Sequence, residues 1–219
     1  MKKKHLKALS SIQKWLSKEE LLSDELVLAL NSIRKVIDEV PEEEAESDSK
    51  ALPPPAEIAG EPMAIALYSD GGCRGNPGPG AYAYLVQNEQ GRILAEGVEF
   101  EVHTTNNKME LSGPIKGLSE IKELLPSLGK DALLTKIKVM TDSKYVVDGM
   151  KSWVAGWKAR GWKKADNKTP ENLELWQQLD QMRNAFFEIE WIWVKGHGGH
   201  PQNEYCDKKA NEVMDENLS

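Results

Sequence analysis

The feature that most constrains this chain is the stretch at residues 63–80, which reads MAIALYSDGGCRGNPGPG. Its first six residues are apolar or aromatic, so they predict a strand that is covered on both faces, as in the centre of a sheet flanked by helices. Asp70 follows, and a loop rich in glycine and proline begins after it. An aspartate at a strand end is most often a turn residue that caps nearby N–H groups. Asp70 therefore points to function only if other carboxylates meet it in space.

After this first strand the pattern alternates between strands and helices. The runs AYAYLVQ and RILAEGVEFEV flank the turn NEQG and predict a hairpin. The later stretches KIKVMTD and EIEWIWV predict strands. Three stretches show helical periodicity: NNKMELSGPIKGLSEIKELL, ENLELWQQLDQMRNAF and EYCDKKANEVMDE. Three meandering strands followed by alternating helices and strands predict an α/β fold with a mixed sheet.

The chain before residue 63 has a different character. Apolar residues recur at helical spacing between Leu22 and Val40, and Ser17 with Glu20 forms a predicted capping box. Residues 41–62 combine an acidic run with a triple proline, which predicts a disordered or extended linker. We therefore predict a helical extension at 1–40, a linker at 41–62 and the main domain at 63–219. Because about 40 residues bury little core, the extension is expected to bind a protein partner or to self-associate.

The charge distribution is more informative than the net charge of −7. Residues 38–48 hold seven acidic side chains and no basic one, which accounts for the whole net charge. Residues 144–168 carry seven basic side chains against two acidic ones, and this surplus predicts a surface for a polyanion. No apolar run approaches the roughly 20 residues that span a bilayer, and the basic N-terminus is not followed by a signal-peptide core. The two cysteines fit no zinc or disulfide pattern, so we expect a cytoplasmic protein without a membrane partner.

Other carboxylates do stand at positions comparable to that of Asp70. Asp142 ends the strand KIKVMTD, Glu110 lies in the first turns of the NNKMEL helix, and Asp207 lies near the start of the last helix. If the strands that precede Asp70 and Asp142 are parallel neighbours, the two side chains lie at one edge of the sheet, where active sites of α/β proteins gather. Clustered carboxylates repel one another unless a cation neutralises them. Hard oxygen ligands predict Mg²⁺ or Mn²⁺.

Five sequence motifs, taken in their order along the chain, resemble those of one protein family. The stretches SDGGCRGNPGPGAYAY, TTNNKMEL, TDSKYVVDGMKSW, GWKARGWKKADNK and WVKGHGGHPQNEYCDKKA are similar to those of type 1 ribonuclease H, the bacterial ribonuclease HI family. The resemblance covers residues 63–216 and leaves the first 60 residues unexplained. It implies a ribonuclease H-like fold, a mixed five-stranded sheet flanked by helices, to which the N-terminal helical appendage is added.

The resemblance also implies an activity. Members hydrolyse the RNA strand of RNA/DNA hybrids by two-metal-ion catalysis and leave 5′-phosphate and 3′-hydroxyl ends. Asp70, Glu110, Asp142 and Asp207 would hold two Mg²⁺ ions, with Mn²⁺ as a substitute, and Asp70 would bridge them. His197 would act as the proton shuttle near the leaving group, and His200 is its competitor. The catalytic domain would be monomeric.

Substrate contacts follow from the same resemblance. Thr105 and Asn172 match positions that grip a DNA phosphate, His103 stands where many members carry Arg, and Lys144 occupies a variable contact position. The RNA minor-groove edge would be lined by Cys73, Asn76, Asn106 and Asn107. A basic protrusion would contact the DNA strand through Trp153, Trp157, Lys158, Arg160, Trp162, Lys163 and Lys164. Tryptophans at four-residue spacing are also typical of helix core, and Asn and Gly of ordinary turns.

Three alternatives and one local conflict remain open at this point. In the first, the chain is a catalytically weak hybrid-binding or scaffold protein. In the second, it is an enzyme whose N-terminal helices form a docking module to replication proteins. In the third, it is a transposase or integrase relative. The presence of all four carboxylates disfavours the first, and the protrusion disfavours the third. Within the helix that carries Glu110, Gly113 and Pro114 predict a kink or a free carbonyl, because Pro114 has no N–H to donate.

Overall fold

The computed structural model describes residues 9–12, 14, 16, 23–39, 52–61 and 63–218. It divides the chain into two compact units, Met1–Ser49 and Lys50–Ser219. In the first unit, helix α1 spans Asp24–Glu39, and Ser23 Oγ accepts a hydrogen bond from Leu26 N at its start. Leu30 is buried. The predicted capping box of Ser17 and Glu20 lies outside the described residues.

The second unit is built on a five-stranded mixed sheet. Its strands are β1 Ile65–Cys73, β2 Gly78–Asn88, β3 Ile93–Thr104, β4 Lys136–Thr141 and β5 Glu188–Trp193. They lie in the order β3-β2-β1-β4-β5. β1, β2 and β3 form an antiparallel meander, whereas β1, β4 and β5 are parallel. The predicted α/β fold with a mixed five-stranded sheet is confirmed.

Five helices and two short 3₁₀ helices complete the described part of this unit. The helices are α2 Asn106–Leu124, α3 Lys144–Asp148, α4 Val154–Ala159, α5 Leu173–Arg183 and α6 Pro201–Leu218. A π-helical turn at Gly149–Trp153 joins α3 to α4, and the 3₁₀ helices span Ala56–Ile58 and Ala132–Leu134. In the portion of the chain that the structure covers, none of the helices is both long and apolar enough to cross a membrane.

The central strand β1 is buried on both faces, as its apolar run predicts. Ile65 and Leu67 belong to the larger core cluster, which includes residues of α2. Ala66 and Tyr68 belong to a second cluster on the other side, which includes Cys206 of α6. Because successive side chains of a strand point to opposite faces of the sheet, alternate residues of the run pack against the helices on opposite sides.

Helix α2 lies very close to β1 because glycines remove the side chains between them. A Cβ on Gly71 would lie 2.6 Å from the backbone carbon of Met109, and one on Gly117 would lie 2.4 Å from Leu67 Cδ1. Gly113 lies over Ser69 in the same way, at 3.1 Å. Despite Pro114, α2 runs as one element from Asn106 to Leu124. The glycines therefore serve the close approach of helix and strand.

Residues 52–61, which we call the strap, differ from the sequence prediction. The composition predicts a disordered or extended linker, but these residues pack against the sheet. Ile58 has no exposed surface and lies in the same core cluster as Tyr68. Lys138 Nζ of β4 donates to the carbonyl oxygen of Glu57 at 2.6 Å. The linker prediction is corrected for this segment, because apolar burial and hydrogen bonds hold it to the sheet.

Candidate active site

The structure places Asp70 inside β1, whereas the sequence predicts a position just past its end. Asp70 pairs with Ala83 of β2, whereas the parallel pairing of β1 with β4 ends at Tyr68 and Met140. Asp142 follows β4 directly, as predicted. Both carboxylates therefore lie at the edge where β1 and β4 separate, which is the location that the parallel-strand argument requires.

The electrostatics of Asp70 show that the acidic side chains come together. Burial raises the pKa of Asp70 to about 7, and Asp142, Asp207 and Glu110 contribute to the rise. The backbone N–H of Gly71 lies 2.7 Å from Asp70 Oδ1 and acts in the opposite direction. A carboxyl group with this pKa is half protonated near neutral pH. Its charged form is opposed both by burial and by neighbours of like charge.

The Glu110 side chain accepts two hydrogen bonds, one from the preceding turn of α2 and one from the residue that caps α3. Asn106 Nδ2 donates to Glu110 Oε1 and Ser143 Oγ donates to Glu110 Oε2, both at 2.8 Å. Burial raises the pKa of Glu110, and Asp142 adds to this, while the two donors lower it. Ser143 Oγ also caps α3 by accepting from Val146 N at 3.2 Å. The side chain of Glu110 is therefore oriented by α3 as well as by its own helix.

Asp142 is in contact with the loop that follows β5. A Cβ on Gly196 would lie 2.3 Å from Asp142 Oδ2, so only glycine leaves this carboxylate in place. Burial raises the pKa of Asp142, whereas a hydrogen bond from Asn203 lowers it. Trp193 Nε1 donates to the backbone oxygen of Asp142 at 2.9 Å. Contacts from β5, its following loop and α6 thus converge on the residue after β4.

The two histidines of the KGHGGH loop have different surroundings. His197 is exposed, and its Nδ1 lies 3.8 Å from Asp207 Oδ2. Asp207 Oδ1 accepts a hydrogen bond from Asn211 Nδ2 at 2.8 Å. His200 is mostly buried and its Nε2 lies 2.7 Å from Glu57 Oε1 of the strap. Of the two, His197 is the one beside a predicted metal ligand.

The side chains present suit divalent metal ions by their donor chemistry. Asp70, Glu110, Asp142 and Asp207 offer hard oxygen atoms and no thiolate, a set typical of Mg²⁺ or Mn²⁺. Asp70, Glu110 and Asp142 have a raised pKa because of burial and, in part, because neighbouring carboxylates repel their charged forms. Bound cations would relieve this repulsion. Within the described ranges, no three His, Cys, Asp or Glu side chains already surround a single point as ligands. The fit therefore depends on charge and donor type.

Of the residues predicted for the RNA edge, Asn106 is the one that contacts Glu110. Cys73 Sγ donates to Gly75 O at 2.7 Å and lies 3.8 Å from Asn76 Oδ1. The N–H of Asn106 donates to Asn76 Oδ1 at 3.4 Å, and the Asn106 side chain contacts Glu110. Asn107 follows in the first turn of α2. The glycine-rich loop and the start of α2 are thus joined beside an acidic group.

The residues predicted for phosphate contacts lie at the ends of secondary structure elements. Thr105 caps α2, and its Oγ1 accepts from Lys108 N at 3.4 Å. His103 is exposed near the end of β3. Asn172 precedes α5 in a left-handed conformation, and its Nδ2 donates to Tyr145 OH at 3.4 Å. Lys144 begins α3, with its Nζ 5.0 Å from the ring centroid of Trp193.

An aromatic pocket lies next to these residues. Its volume is about 370 Å³, and it is lined by Tyr145, Trp153, Trp157, Lys164, Pro170 and Glu171. The Tyr145 hydroxyl accepts from Trp176 Nε1 at 3.1 Å, and the Trp153 and Trp157 rings lie 5.9 Å apart. Trp157 and Trp162 pack partly against the main core, whereas Trp153 is 37 % exposed. The tryptophans therefore combine a core role with a surface one.

The basic side chains of the protrusion are not equivalent. Lys158 Nζ lies 2.7 Å from Asp180 Oδ2, and Asp180 is almost fully buried. This ion pair makes Lys158 part of the attachment of the protrusion to α5. The other three, which we call the protrusion cations, are Arg160, Lys163 and Lys164. Arg160 and Lys163 bond within the protrusion, and Lys164 lines the aromatic pocket. Lys158 thus has a structural partner, and its predicted phosphate contact stays a prediction along with those of the protrusion cations.

Two contributors to the site were missed by sequence reasoning. Ser143 and Tyr145 flank the predicted Lys144, and they contact Glu110 and Asn172 respectively. Their position in TDSKY, directly after the acidic Asp142, was an available signal. The strap contact to His200 had no such signal, because an acidic, proline-rich segment is typical of linkers.

Comparison with known proteins places this site in a family. The family model described as RNase H matches residues 62–215. A ribonuclease H of Treponema denticola is 46 % identical over 157 residues, which cover 69 % of this chain and 97 % of that protein. A ribonuclease H of Tolumonas auensis is 44 % identical over 150 residues, which cover 68 % of this chain and 88 % of that protein.

Solved structures agree with these relatives. LC9-RNase H1, described as a type 1 RNase H with the type 2 active-site motif, is 36 % identical with a TM-score of 0.58, covering 70 % of this chain and 72 % of that one. LC11-RNase H1, solved in complex with an RNA/DNA hybrid, is 25 % identical with a TM-score of 0.55, covering 71 % of this chain and 99 % of that one. The sequence-based identification is confirmed: the chain belongs to the ribonuclease H family and is an enzyme of its type 1 branch.

Proposed function

We propose that this enzyme is an endonuclease that hydrolyses the RNA strand of RNA/DNA hybrids and leaves 5′-phosphate and 3′-hydroxyl ends. The observation that carries the proposal is the group of carboxylates around Asp70, whose pKa rises to about 7 through burial and through Asp142, Asp207 and Glu110. Such a group suits cations, and bound cations would in turn neutralise the negative charge of a phosphodiester substrate. Membership of the ribonuclease H family and the hybrid bound to LC11-RNase H1 support the choice of substrate.

The four carboxylates would hold two divalent ions, with Mg²⁺ as the expected metal and Mn²⁺ as a substitute. Asp70 would be the central member of this set, because the charges of Asp142, Asp207 and Glu110 all act on it. When bound, the ions supply activation of the attacking water and neutralisation of charge on the leaving 3′ oxygen. Ser143 orients Glu110 by a hydrogen bond, Asn203 does the same for Asp142, and the missing side chain of Gly196 leaves room for the Asp142 carboxylate. The proposed ligands would therefore be oriented before substrate binds.

His197 would carry the proton needed by the leaving group. Its ring is exposed, and its Nδ1 lies 3.8 Å from Asp207 Oδ2, so the ring is close to the proposed metal site and open to a substrate. A histidine suits this role because its ordinary pKa lies close to neutral pH. The contact of His200 with Glu57 supports the choice of His197 over His200, because it occupies the Nε2 atom of His200.

Hybrid recognition would use two sets of residues near the acidic group. Cys73, Asn76, Asn106 and Asn107 would contact the RNA minor groove, where the 2′-hydroxyl distinguishes RNA from DNA. Lys144, the aromatic pocket and the protrusion cations would contact DNA phosphates and sugars, together with Thr105, Asn172 and His103. Positive charge beside aromatic rings suits a sugar–phosphate backbone. For residues 1–40 we propose a role in binding a protein partner or in self-association, outside a monomeric catalytic unit.

The test is cleavage of an RNA/DNA hybrid with the RNA strand labelled at its 5′ end, beside double-stranded RNA and double-stranded DNA of the same sequence. With Mg²⁺ we expect internal cuts in the hybrid alone, and with EDTA we expect none. Enzymatic ligation of the products to a 5′-labelled acceptor distinguishes 5′-phosphate from 5′-hydroxyl ends. Equal cutting of all three duplexes, or cutting in EDTA, would contradict the proposal.

A further inference from the structure

The strap is a structured element outside the region that the family model matches, which begins at residue 62. It is attached to β4 through Lys138, whose Nζ contacts the Glu57 carbonyl and Glu61 Oε1, both at 2.6 Å. Ile58 anchors it in the core. Because polar and apolar contacts both fix the strap on the sheet, the strap can in turn fix the position of other residues that it contacts.

The strap touches the loop that carries His197. Glu57 Oε1 lies 2.7 Å from His200 Nε2, and Glu57 Oε2 accepts from Tyr68 OH at 2.8 Å. The rings of Tyr68 and His200 lie 5.3 Å apart. Burial acts to raise the pKa of Glu57, but the hydrogen bonds from His200 and Tyr68 help to outweigh it, so its pKa is lowered. An ionised Glu57 thus accepts from both donors, and charge-assisted hydrogen bonds are the stronger kind.

A second strap contact lies just beyond the loop. Gln202 Nε2, in the first turn of α6, donates to Pro53 O at 2.7 Å. Gln202 is almost fully buried. The strap therefore holds the chain on both sides of Pro201, at His200 and at Gln202. Asp207 lies further along the same helix.

Apart from the strap, the loop of His197 is held by a hydrogen bond from Gly199 N to Glu204 Oε1 at 2.9 Å, which does not contact His197 itself. The side chain of His197 is 82 % exposed, and its backbone has a φ of 48°, in the left-handed region that residues with a Cβ rarely adopt. Gly199 has a φ of 82°. A loop with two residues in the left-handed region and an exposed side chain between its ends needs contacts of its end residues to keep its conformation. His200 is the end that the strap holds.

We propose that Glu57 is a positioning residue for the His197 loop: by holding His200 it keeps His197 beside Asp207. The inference rests on the proposed function, in which His197 carries a proton. The side chain of Glu57 contacts His200 and Tyr68, and it acts on His197 through His200. Its removal frees the His200 side of the loop and leaves the Tyr68 hydroxyl without this acceptor, but it removes no carboxylate of the proposed metal site, so it should change turnover more than substrate binding.

The test uses the full chain and the hybrid substrate with Mg²⁺. Glu57→Ala is expected to lower kcat about five- to tenfold with KM within about twofold, the pattern expected when an orienting hydrogen bond is removed. Glu57→Gln retains an acceptor for His200 and is expected to restore kcat to within about twofold of wild type. Glu61→Ala is the matched control, because it removes a strap carboxylate that contacts Lys138 and not His200, and its kcat should stay within about twofold.

A double-mutant cycle identifies the route. In a His197→Ala background, Glu57→Ala should change kcat less than about twofold, because the loop no longer carries the proton shuttle. An undiminished effect there, an unchanged kcat in Glu57→Ala, or equal losses in Glu57→Ala and Glu61→Ala would overturn the inference. A wild-type enzyme that leaves the hybrid intact would overturn the proposed function itself, which is a distinct result.

A second pair of variants keeps the question answerable if Glu57→Ala does not fold. His200→Asn retains a donor toward Glu57, whereas His200→Phe does not. The Asn variant is expected to keep kcat within about threefold of wild type, and the Phe variant is expected to lower kcat about five- to tenfold, as removal of an orienting hydrogen bond requires. Equal kcat values for the two would refute the positioning role.

Discussion

Replacing Asp70 by Asn tests the electrostatic account of the site most directly. The pKa of Asp70 is about 7 against an ordinary value of 3.8. At roughly 1.4 kcal/mol per pH unit, this difference corresponds to about 4 kcal/mol of cost for charging the group in the folded state. Asp70 retains some solvent contact, so screening reduces the expected cost to about 2 kcal/mol. The amide oxygen of Asn still accepts from the N–H of Gly71.

The pH dependence follows from the raised pKa. The folded state holds this proton more tightly than the unfolded chain, so the contribution of Asp70 is fully present below pH 3.8 and is lost as pH rises to about 7. In EDTA, Asp70→Asn should therefore be more stable than wild type by about 2 kcal/mol at pH 8 and by less than about 0.5 kcal/mol at pH 4. Urea unfolding followed by circular dichroism measures both values.

Activity should change in the opposite direction from stability. Asp70→Asn is expected to cut the hybrid at less than about 1 % of the wild-type rate, because a neutral amide does not bridge two cations. Mg²⁺ should raise the unfolding free energy of wild type more than that of the variant. Asp166→Asn is the control, because hydrogen bonds from Lys168 lower the pKa of that exposed aspartate. A variant no more stable than wild type at pH 8, or one that still cuts well, would refute the reasoning.

The remaining predictions concern the proton shuttle, the protrusion and the strap. His197→Ala should lower kcat about a hundredfold, and His200→Ala less than about tenfold, in single-turnover assays; the reverse order would contradict the assignment. Changing the three protrusion cations to Ala should flatten the salt dependence of hybrid binding by up to about 0.9 for each phosphate that is no longer neutralised, whereas Lys158→Ala should mainly lower the melting temperature. A chain starting at residue 50 should fold and cut, whereas one starting at residue 62 lacks Ile58 and should be less stable by about 2 kcal/mol or more; equal stability would show that the strap is dispensable.

Much of the fold could be predicted because its signals are local. The apolar run of β1 and the periodicity of α2 depend on burial, which leaves a pattern in the sequence. The mixed character of the sheet follows from the same alternation of strands and helices. The position of Asp70 within β1 was harder to predict, because β2 extends the pairing beyond the apolar residues. Strand ends depend on a partner that the local pattern does not show.

The site was predictable by residue type and less so by contact. The four carboxylates were identified from motif and position, and the structure brings their charges together. The pairing of Lys158 with Asp180 was not predictable, because the two residues are far apart in sequence and a lysine among lysines resembles a free surface charge. The strap was misread for a related reason: proline and acidic residues signal a linker, while its anchoring depends on the burial of Ile58 and on distant polar partners.

The direct contact of α2 with β1 has a consequence for how the enzyme tolerates change. Gly71 and the backbone of Met109 leave no side chain between strand and helix, so the spacing of Asp70 and Glu110 is set by two main chains in contact. Side chains in a core can change rotamer when a neighbour is substituted, and the core can then rearrange. A contact between two main chains has no rotamers and so cannot adjust in this way. The spacing of Asp70 and Glu110, the two predicted metal ligands, therefore depends on this main-chain contact more than on the packing of side chains elsewhere in the core. A substitution at Gly71 should consequently disturb the predicted site more than a core substitution of similar size that is remote from this contact.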